Sequence, residues 1–309
     1  MLFTCKTASE KRADFKELLA DGRTHQFPGA FNPLCARLIE QMGFDGVYIS
    51  GAVMAADLCL PDIGIATLSE FVTRGQQVAR VTDLPTIIDI DTGFGEPMNG
   101  ARSVRMMEEA GISGCHIEDQ MMPKRCGHLD GKIIVSTVEM VQRIKAASGA
   151  RMDNNFCLIA RSDARETEGL DKAIDRMKAY VDAGADMIFP EAMKSEKEFE
   201  SVRAEIDVPL LANMTEFGKS RLLNIKELEN LGFNVVIYPV TTLRLAMGEV
   251  ERGLTALLKD GDQNSILDKM QHRKDLYDLL RYKDYSKFDQ DLFNFEINET
   301  PGPLPVDPQ

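Results

Sequence analysis

Short apolar runs rich in β-branched residues recur along the chain: HQFPGA (25–30), GVYIS (46–50), TIIDID (86–91), GCHIED (114–119), CLIAR (157–161), DMIFPE (186–191), PLLANM (209–214) and VVIYPV (235–240). Between them the apolar positions fall into helical spacing, over 32–42, 67–82, 99–110, 137–147, 170–183, 195–205, 225–231 and 242–258. Ala110-Gly111, Ala183-Gly184 and Leu231-Gly232 put glycine where a helix would end before the next strand. Eight strands alternating with eight helices predict an α/β chain folded as a (β/α)8 TIM-type barrel. An open doubly wound sheet is the alternative, but it wants a Gly-rich phosphate turn, and no G-x-G-x-x-G occurs. Residues 9–20 read as a leading helix and 262–285 as amphipathic helical material beyond the repeat. The expected organisation is therefore a barrel domain over 1–258, then a helical extension and Pro-rich tail over 259–309.

Composition narrows the function classes. A chain of 309 residues with 44% hydrophobic and 28% charged residues has ample core for a globular enzyme. Its net charge of -13 argues against nucleic acid or an anionic membrane as partner. No run approaches the about 20 apolar residues needed to span a bilayer. The start, MLFTCKTASEKRADF, has neither a secretory apolar core nor the Arg-rich, acid-poor pattern of a transit peptide. Six cysteines (5, 35, 59, 115, 126, 157) lack C-x-x-C pairing, so a reducing, cytoplasmic setting with free thiols is expected.

In a barrel of this type the chemistry sits at the C-terminal ends of the strands. TIIDID ends with Asp89 and Asp91, and strand alternation is expected to aim both inward, with Ile88 and Ile90 toward the helices. Two close carboxylates repel unless a cation sits with them, and Mg²⁺ takes one or two carboxylates plus waters and substrate oxygens. On the next strand His116 and Glu118 share a face, with Glu118 nearer the mouth and His116 a supporting residue. Arg161 ends its strand as a planar cation suited to a carboxylate or a developing oxyanion, or to a structural pair with Asp163. Glu191, Asn213, Thr215, Arg244 and Arg273 complete an inventory fit for a small polycarboxylate. KRCGHLDGK (124–132) follows the Glu118 strand, with Gly127 and Gly131 as hinges. Cys126 lies there among Lys124, Arg125 and His128, which favour its thiolate and proton exchange near neutral pH. A zinc site fails on ligand count.

Taken together, SGA (50–52), LPDIG (60–64), DIDTGFG (89–95), HIEDQ (116–120), KRCGH (124–128), ARSDA (160–164), FPEA (189–192) and NMTEFG (213–218) resemble the 2-methylisocitrate lyases of the isocitrate lyase/phosphoenolpyruvate mutase superfamily. The resemblance runs in order from about residue 9 to 285. It implies an enzyme dependent on Mg²⁺ or Mn²⁺ that splits (2S,3R)-2-methylisocitrate, a small tricarboxylate, into pyruvate and succinate in the methylcitrate cycle of propionate breakdown. It also implies a homotetramer with C-terminal helices exchanged between neighbouring subunits. By the same resemblance Asp89 and Asp91 hold the metal with Asp62 and Glu118 nearby. Ser50, Gly51, Ala52, Gly127, Glu191, Asn213, Thr215, Arg244 and Arg273 contact substrate. Cys126 is the proton donor, Arg161 stabilises the oxyanion, and Tyr48 or Lys124 takes the hydroxyl proton. Where propionate enzymes often read Ser-Gly-Gly and HRPNK, this chain has Ser-Gly-Ala and HLDGK. Isocitrate lyase and 2,3-dimethylmalate lyase are the rival activities. A noncatalytic carboxylate-binding barrel is the rival of a different class.

Overall fold

The computed structural model describes residues 4–125, 127 and 131–294. Cys126 and His128, and the Pro-rich tail, lie outside the described residues. The strands are β1 (His25–Pro28), β2 (Val47–Ile49), β3 (Thr86–Asp89), β4 (Gly114–Glu118), β5 (Cys157–Ser162), β6 (Met187–Pro190), β7 (Leu211–Asn213) and β8 (Val235–Tyr238). Each falls on one of the apolar runs. The helices are α1 (Ala8–Ala20), α2 (Pro33–Gln41), α3 (Gly51–Asp57), α4 (Leu68–Ala79), α5 (Pro97–Glu109), α6 (Thr137–Gly149) and α7 (Ala164–Glu168). They continue as α8 (Leu170–Asp182), α9 (Glu196–Glu205), α10 (Ile225–Asn230), α11 (Thr241–Asp260), α12 (Arg273–Leu279) and α13 (Tyr282–Phe293).

All strand pairs are parallel, in a sheet ordered β2-β3-β4-β5-β6 and another ordered β1-β8-β7. Single parallel bridges, Gly29 with Tyr48 and Ile188 with Leu210, join the two sheets at both ends. The period-two alternation of a strand then sorts the side chains into two apolar clusters. Ile88, Ile117, Leu158, Ile188 and Val236 pack with Phe71, Val104, Met140, Met177 and Val202 of the helices. Phe27, Tyr48, Ile87, Ile159, Phe189 and Ile237 form the other cluster, on the far face of the strands. Ile88 and Ile90 both lie on the helix side, as alternation requires.

The leading helix is tied to the N-terminal ends of this framework. Thr7 and Glu10 close a capping box at its start. Buried Lys11 donates to the Ala79 and Thr82 carbonyls, and Arg12 to Ile112 and Glu108. Phe15 joins the inner cluster, 5.4 Å centroid to centroid from Phe27.

Two helices escape the apolar pattern. α3 is one short apolar run directly after β2, and α7 is the polar pentapeptide ARETE, too short for periodicity. The amphipathic stretch 262–285 is not one helix: a 3-10 helix (Asn264–Lys269), α12 and α13 replace it, and Arg281 breaks the run at φ 56°. The chain divides into two compact units, one running to Ile266 and one from Leu267 onward. Within the second, Tyr277 and Tyr282 stack with centroids 5.0 Å apart.

Candidate active site

β3 delivers Asp89 as its last residue, and the alternation expected to carry on to Asp91 stops there. Asp91 sits instead in a turn at φ 48°. Its carboxylate nevertheless reaches the same place, because its N–H donates to Asp89 Oδ1 at 2.9 Å. Gly51 N–H donates to Asp89 Oδ2 at 3.1 Å. A Cβ built on Gly51 would stand 2.7 Å from Asp89 Oδ2 and 3.0 Å from Asp91 Oδ1, so both carboxylates converge on this backbone. Ser50 precedes α3 as its N-cap residue and Ala52 follows Gly51 within it.

The environment splits the two acids. Burial, opposed by Lys124 and reinforced by Asp89, pushes Asp91 up to about 7. Against its own burial, Asp89 is held below the ordinary carboxylate value by His116, Lys124 and Arg161. His116, fully buried, is pushed down by desolvation to about 4 and is therefore neutral near pH 7. Its Nε2 lies 2.8 Å from the Tyr48 hydroxyl and its Nδ1 3.6 Å from Asp89 Oδ1. Tyr48 therefore donates to Nε2 when the ring proton is on Nδ1, the tautomer that faces Asp89. Burial, with Asp89 beside it, raises the Tyr48 phenol well above its ordinary value.

Lys124 binds this acid group from the loop after β4. Its ammonium pairs with Asp62 and lies 2.8 Å from Asp91 Oδ1, with the side chain 3% exposed. Burial opposes its charge, but Asp91, Glu118, Asp89 and Asp62 outweigh it and keep the lysine protonated. Arg161, on β5, faces three acids: Nη1 is 3.3 Å from Glu118 Oε2, Nε is 3.0 Å from Asp163 Oδ2 and 3.6 Å from Glu191 Oε2. Its guanidinium carbon also lies 5.3 Å from the Phe189 ring centroid. A Cβ on Gly127 would fall 2.3 Å from Arg161 Nη2 and 2.6 Å from Glu191 Cγ, so the loop backbone lies directly on these side chains. Asn213 Nδ2 donates to Glu191 Oε2 at 3.3 Å, and Thr215 is buried two residues further on.

One candidate, Arg244, has other partners. It pairs with Glu216 at 2.7 Å and lies over Phe217, with its side chain 40% exposed. Arg273 opens α12 in the second unit. Cys126 and His128 fall outside the described residues.

A supporting layer was not singled out from sequence. Asp119 follows Glu118 on the opposite face and accepts from Ser162 Oγ, the Asp163 N–H and the Tyr180 hydroxyl, each at 2.8 Å. Asp163 in turn receives Lys132 Nζ at 3.0 Å. Alternation is the signal that finds Asp119: in HIEDQ adjacent acids must face opposite ways, so the second needs partners of its own.

Among the described residues no three His, Cys, Asp or Glu side chains gather closely enough to hold a metal by themselves. Mg²⁺ does not need such a cage, since it keeps waters and takes one or two carboxylates. The residues fit it: Asp89 and Asp91 converge, and both oxygens of fully buried Glu118 lack a hydrogen-bond partner among the described residues. Burial raises Glu118 well above its ordinary value.

Residues 15–258 match the phosphoenolpyruvate phosphomutase family. A Corynebacterium glutamicum protein named "Probable 2-methylisocitrate lyase 1" is 58% identical over 290 residues, 94% of this chain and 95% of the relative. The solved structure of 2,3-dimethylmalate lyase superposes with a TM-score of 0.87 at 32% identity, covering 96% of this chain and 100% of that one. A phosphonopyruvate hydrolase solved with oxalate and Mg²⁺ gives a TM-score of 0.84 at 28% identity, covering 94% of this chain and 100% of that one. The chain belongs to the phosphoenolpyruvate phosphomutase family, and within it groups with proteins named 2-methylisocitrate lyase.

Proposed function

We propose that this chain is a Mg²⁺-dependent carbon–carbon lyase that cleaves (2S,3R)-2-methylisocitrate to pyruvate and succinate, the step its resemblance assigns to the methylcitrate cycle of propionate breakdown. The observation that carries this is the convergence of Asp89 and Asp91 at Gly51, with the Arg161 guanidinium held across from them between Glu118, Asp163 and Glu191. The two parallel bridges between the sheets support a closed (β/α)8 barrel with this group at its C-terminal mouth.

Asp89 and Asp91 would hold Mg²⁺, or Mn²⁺ in its place, with Glu118 and Asp62 beside them. When bound, the ion supplies a fixed positive charge at the substrate hydroxyl and carboxylate oxygens. Cleavage is a retro-Claisen reaction without net redox change. The substrate's C2 hydroxyl loses its proton and the C2–C3 bond breaks as that oxygen becomes the pyruvate carbonyl. The bond pair is left on the succinate fragment as an enediolate. Arg161 is the chain's own fixed cation for this shifting charge. Of the two proton acceptors, Tyr48 has an onward partner: a proton taken at its Oη is balanced by one given to neutral His116 Nε2. Lys124 is held as an ammonium, a charge partner in the resting site. Cys126 is assigned as the acid that protonates the enediolate carbon. It is the neighbour of Gly127, whose backbone lies against Arg161 and Glu191. Ser50, Gly51, Ala52, Gly127, Glu191, Asn213 and Thr215 are assigned to substrate.

Arg244 and Arg273 remain assigned to substrate by resemblance alone. A homotetramer that exchanges C-terminal helices is the assembly we assign. It is supported by α11, whose twenty residues include none that is buried and which exposes Leu245, Val250, Leu254 and Leu258. The free thiols of Cys5, Cys35, Cys59, Cys115 and Cys157, and the lack among the described residues of a helix able to cross a membrane, support a cytoplasmic setting.

Stripping the purified protein with EDTA is expected to abolish pyruvate release from 2-methylisocitrate, and Mg²⁺ to restore it. In Mg²⁺, Cys126→Ser is expected to keep KM within about threefold while losing most of kcat. Full turnover without a divalent ion, or wild-type kcat in the serine variant, contradicts the corresponding assignment.

A further inference from the structure

We propose that Lys132 and Asp163 are a positioning pair, fixing where the backbone at Gly127 sits against the Arg161 guanidinium. The inference rests on the lyase assignment for its kinetic consequence, but its geometry stands alone.

Lys132 lies at the far end of the KRCGHLDGK stretch, and its side chain is 1% exposed. An ammonium has three protons to place. Here it donates to the Gly127 carbonyl and to Asp163 Oδ1 at 3.0 Å, and lies 3.4 Å from Glu166 Oε2. Asp163, wholly buried, grips Arg161 in a fork: Oδ2 accepts from Nε at 3.0 Å and Oδ1 from Nη2 at 3.1 Å. One carboxylate thus joins the cation that carries the loop backbone to the cation that faces the reaction. Asp163 is itself immobilised, because its N–H donates to Asp119, which Ser162 and Tyr180 also bind.

Stability is a poor reason for this arrangement. Stripping water from a lysine and a carboxylate is costly, and apolar replacements of similar volume are often as stable. What an ion pair adds is direction. The two ends of the loop are treated alike: Lys124 is clamped between Asp62 and Asp91, Lys132 between Asp163 and Glu166. The first clamp belongs to the acid centre. Among the described residues, the second pairs with Asp163, Glu166 and the Gly127 carbonyl rather than with Asp62, Asp89 or Asp91, and it meets the reacting region through Arg161 and Gly127. At that point the fit is tight, since a single methyl on Gly127 would overlap Arg161 Nη2.

Purified full-length Lys132→Met, Lys132→Arg and Asp163→Asn are compared with the parent in two assays. The first is tryptic cleavage after exposed Arg125, followed by fragment mass without substrate. The Arg125 backbone is hydrogen-bonded both ways to Gln120, so cutting there requires the loop to open locally. The second is kcat and KM for 2-methylisocitrate with Mg²⁺. Lys132→Met is expected to be cut after Arg125 at least about fivefold faster, with other sites unchanged. Its kcat is expected to fall at least about tenfold with KM moving less than about threefold, and Lys132→Arg to recover most of both losses. A parental cleavage rate in Lys132→Met overturns the proposal, as does faster cleavage with parental kcat. If Lys132→Met fails to fold, Asp163→Asn decides by the same measures: faster cleavage with lower kcat supports the pair, and parental values overturn it. If the parent itself does not turn over 2-methylisocitrate, the lyase assignment fails, and the cleavage contrast still tests the positioning of Gly127.

Discussion

At Gly51 the lack of a side chain serves charge placement. The glycine backbone is ordinary helix start, but the space where a Cβ would go is taken by Asp89 and Asp91 carboxylate oxygens. A methyl group there has to displace one acid or the other. Gly51→Ala is therefore expected to cost about 1–3 kcal/mol of stability through overpacking and to lower kcat/KM at least about 100-fold. Thermal unfolding and steady-state kinetics with Mg²⁺ check this; activity within about twofold of the parent would show that the carboxylates need not converge. Much at this scale was legible in the chain. Asp89, Glu118 and Arg161 could be placed because each closes an apolar strand whose alternation sets its direction. For Asp91 the strand pleat expected from alternation is absent, and a left-handed turn returns its carboxylate to Asp89. Lys132 and Asp119 were missed because burial and partners, which single them out, come from elements distant in sequence.

Elements are joined at the opposite end by a smaller charge device. His25 begins β1, with Nε2 3.0 Å from Asp21 Oδ1 after α1 and Nδ1 3.3 Å from Asp45 Oδ1 before β2. Only an imidazolium donates from both nitrogens. The hydrogen bond that His25 donates to Asp45 chiefly raises its pKa, burial opposes it and Asp21 adds to it. Arg23 shares Asp21 at 2.7 Å. A raised folded-state value means the folded chain keeps a proton that the unfolded chain sheds near about pH 6.5. The stabilisation is thus whole below about pH 6.5 and is lost as pH rises through the higher folded value. His25→Gln is expected to lower Tm more at about pH 6 than at about pH 9, measured by thermal denaturation at fixed ionic strength. An equal loss at both would mean that the imidazole packs there without its charge. The strands themselves were readable because each apolar run is short and bounded by turn residues. α3 and α7 were not, since a polar pentapeptide and a run continuous with β2 carry no helical period of their own.

For the whole molecule, eight parallel strands place acids and an arginine at their C-terminal ends while α1 ties down the N-terminal side. The order of strands and helices carried the α/β class in plain sight, because parallel pairing forces a crossover after every strand. Substrate choice is different, since it depends on small differences in contact around a shared carboxylate-binding frame. The relative that superposes at a TM-score of 0.87 is a 2,3-dimethylmalate lyase, whereas the sequence groups with proteins named for 2-methylisocitrate. One measurement separates them: kcat/KM of the purified chain with Mg²⁺ for 2-methylisocitrate, isocitrate and 2,3-dimethylmalate in parallel. We expect pyruvate and succinate from 2-methylisocitrate at least about tenfold more efficiently than cleavage of either competitor. Equal or reversed preference would contradict the assignment.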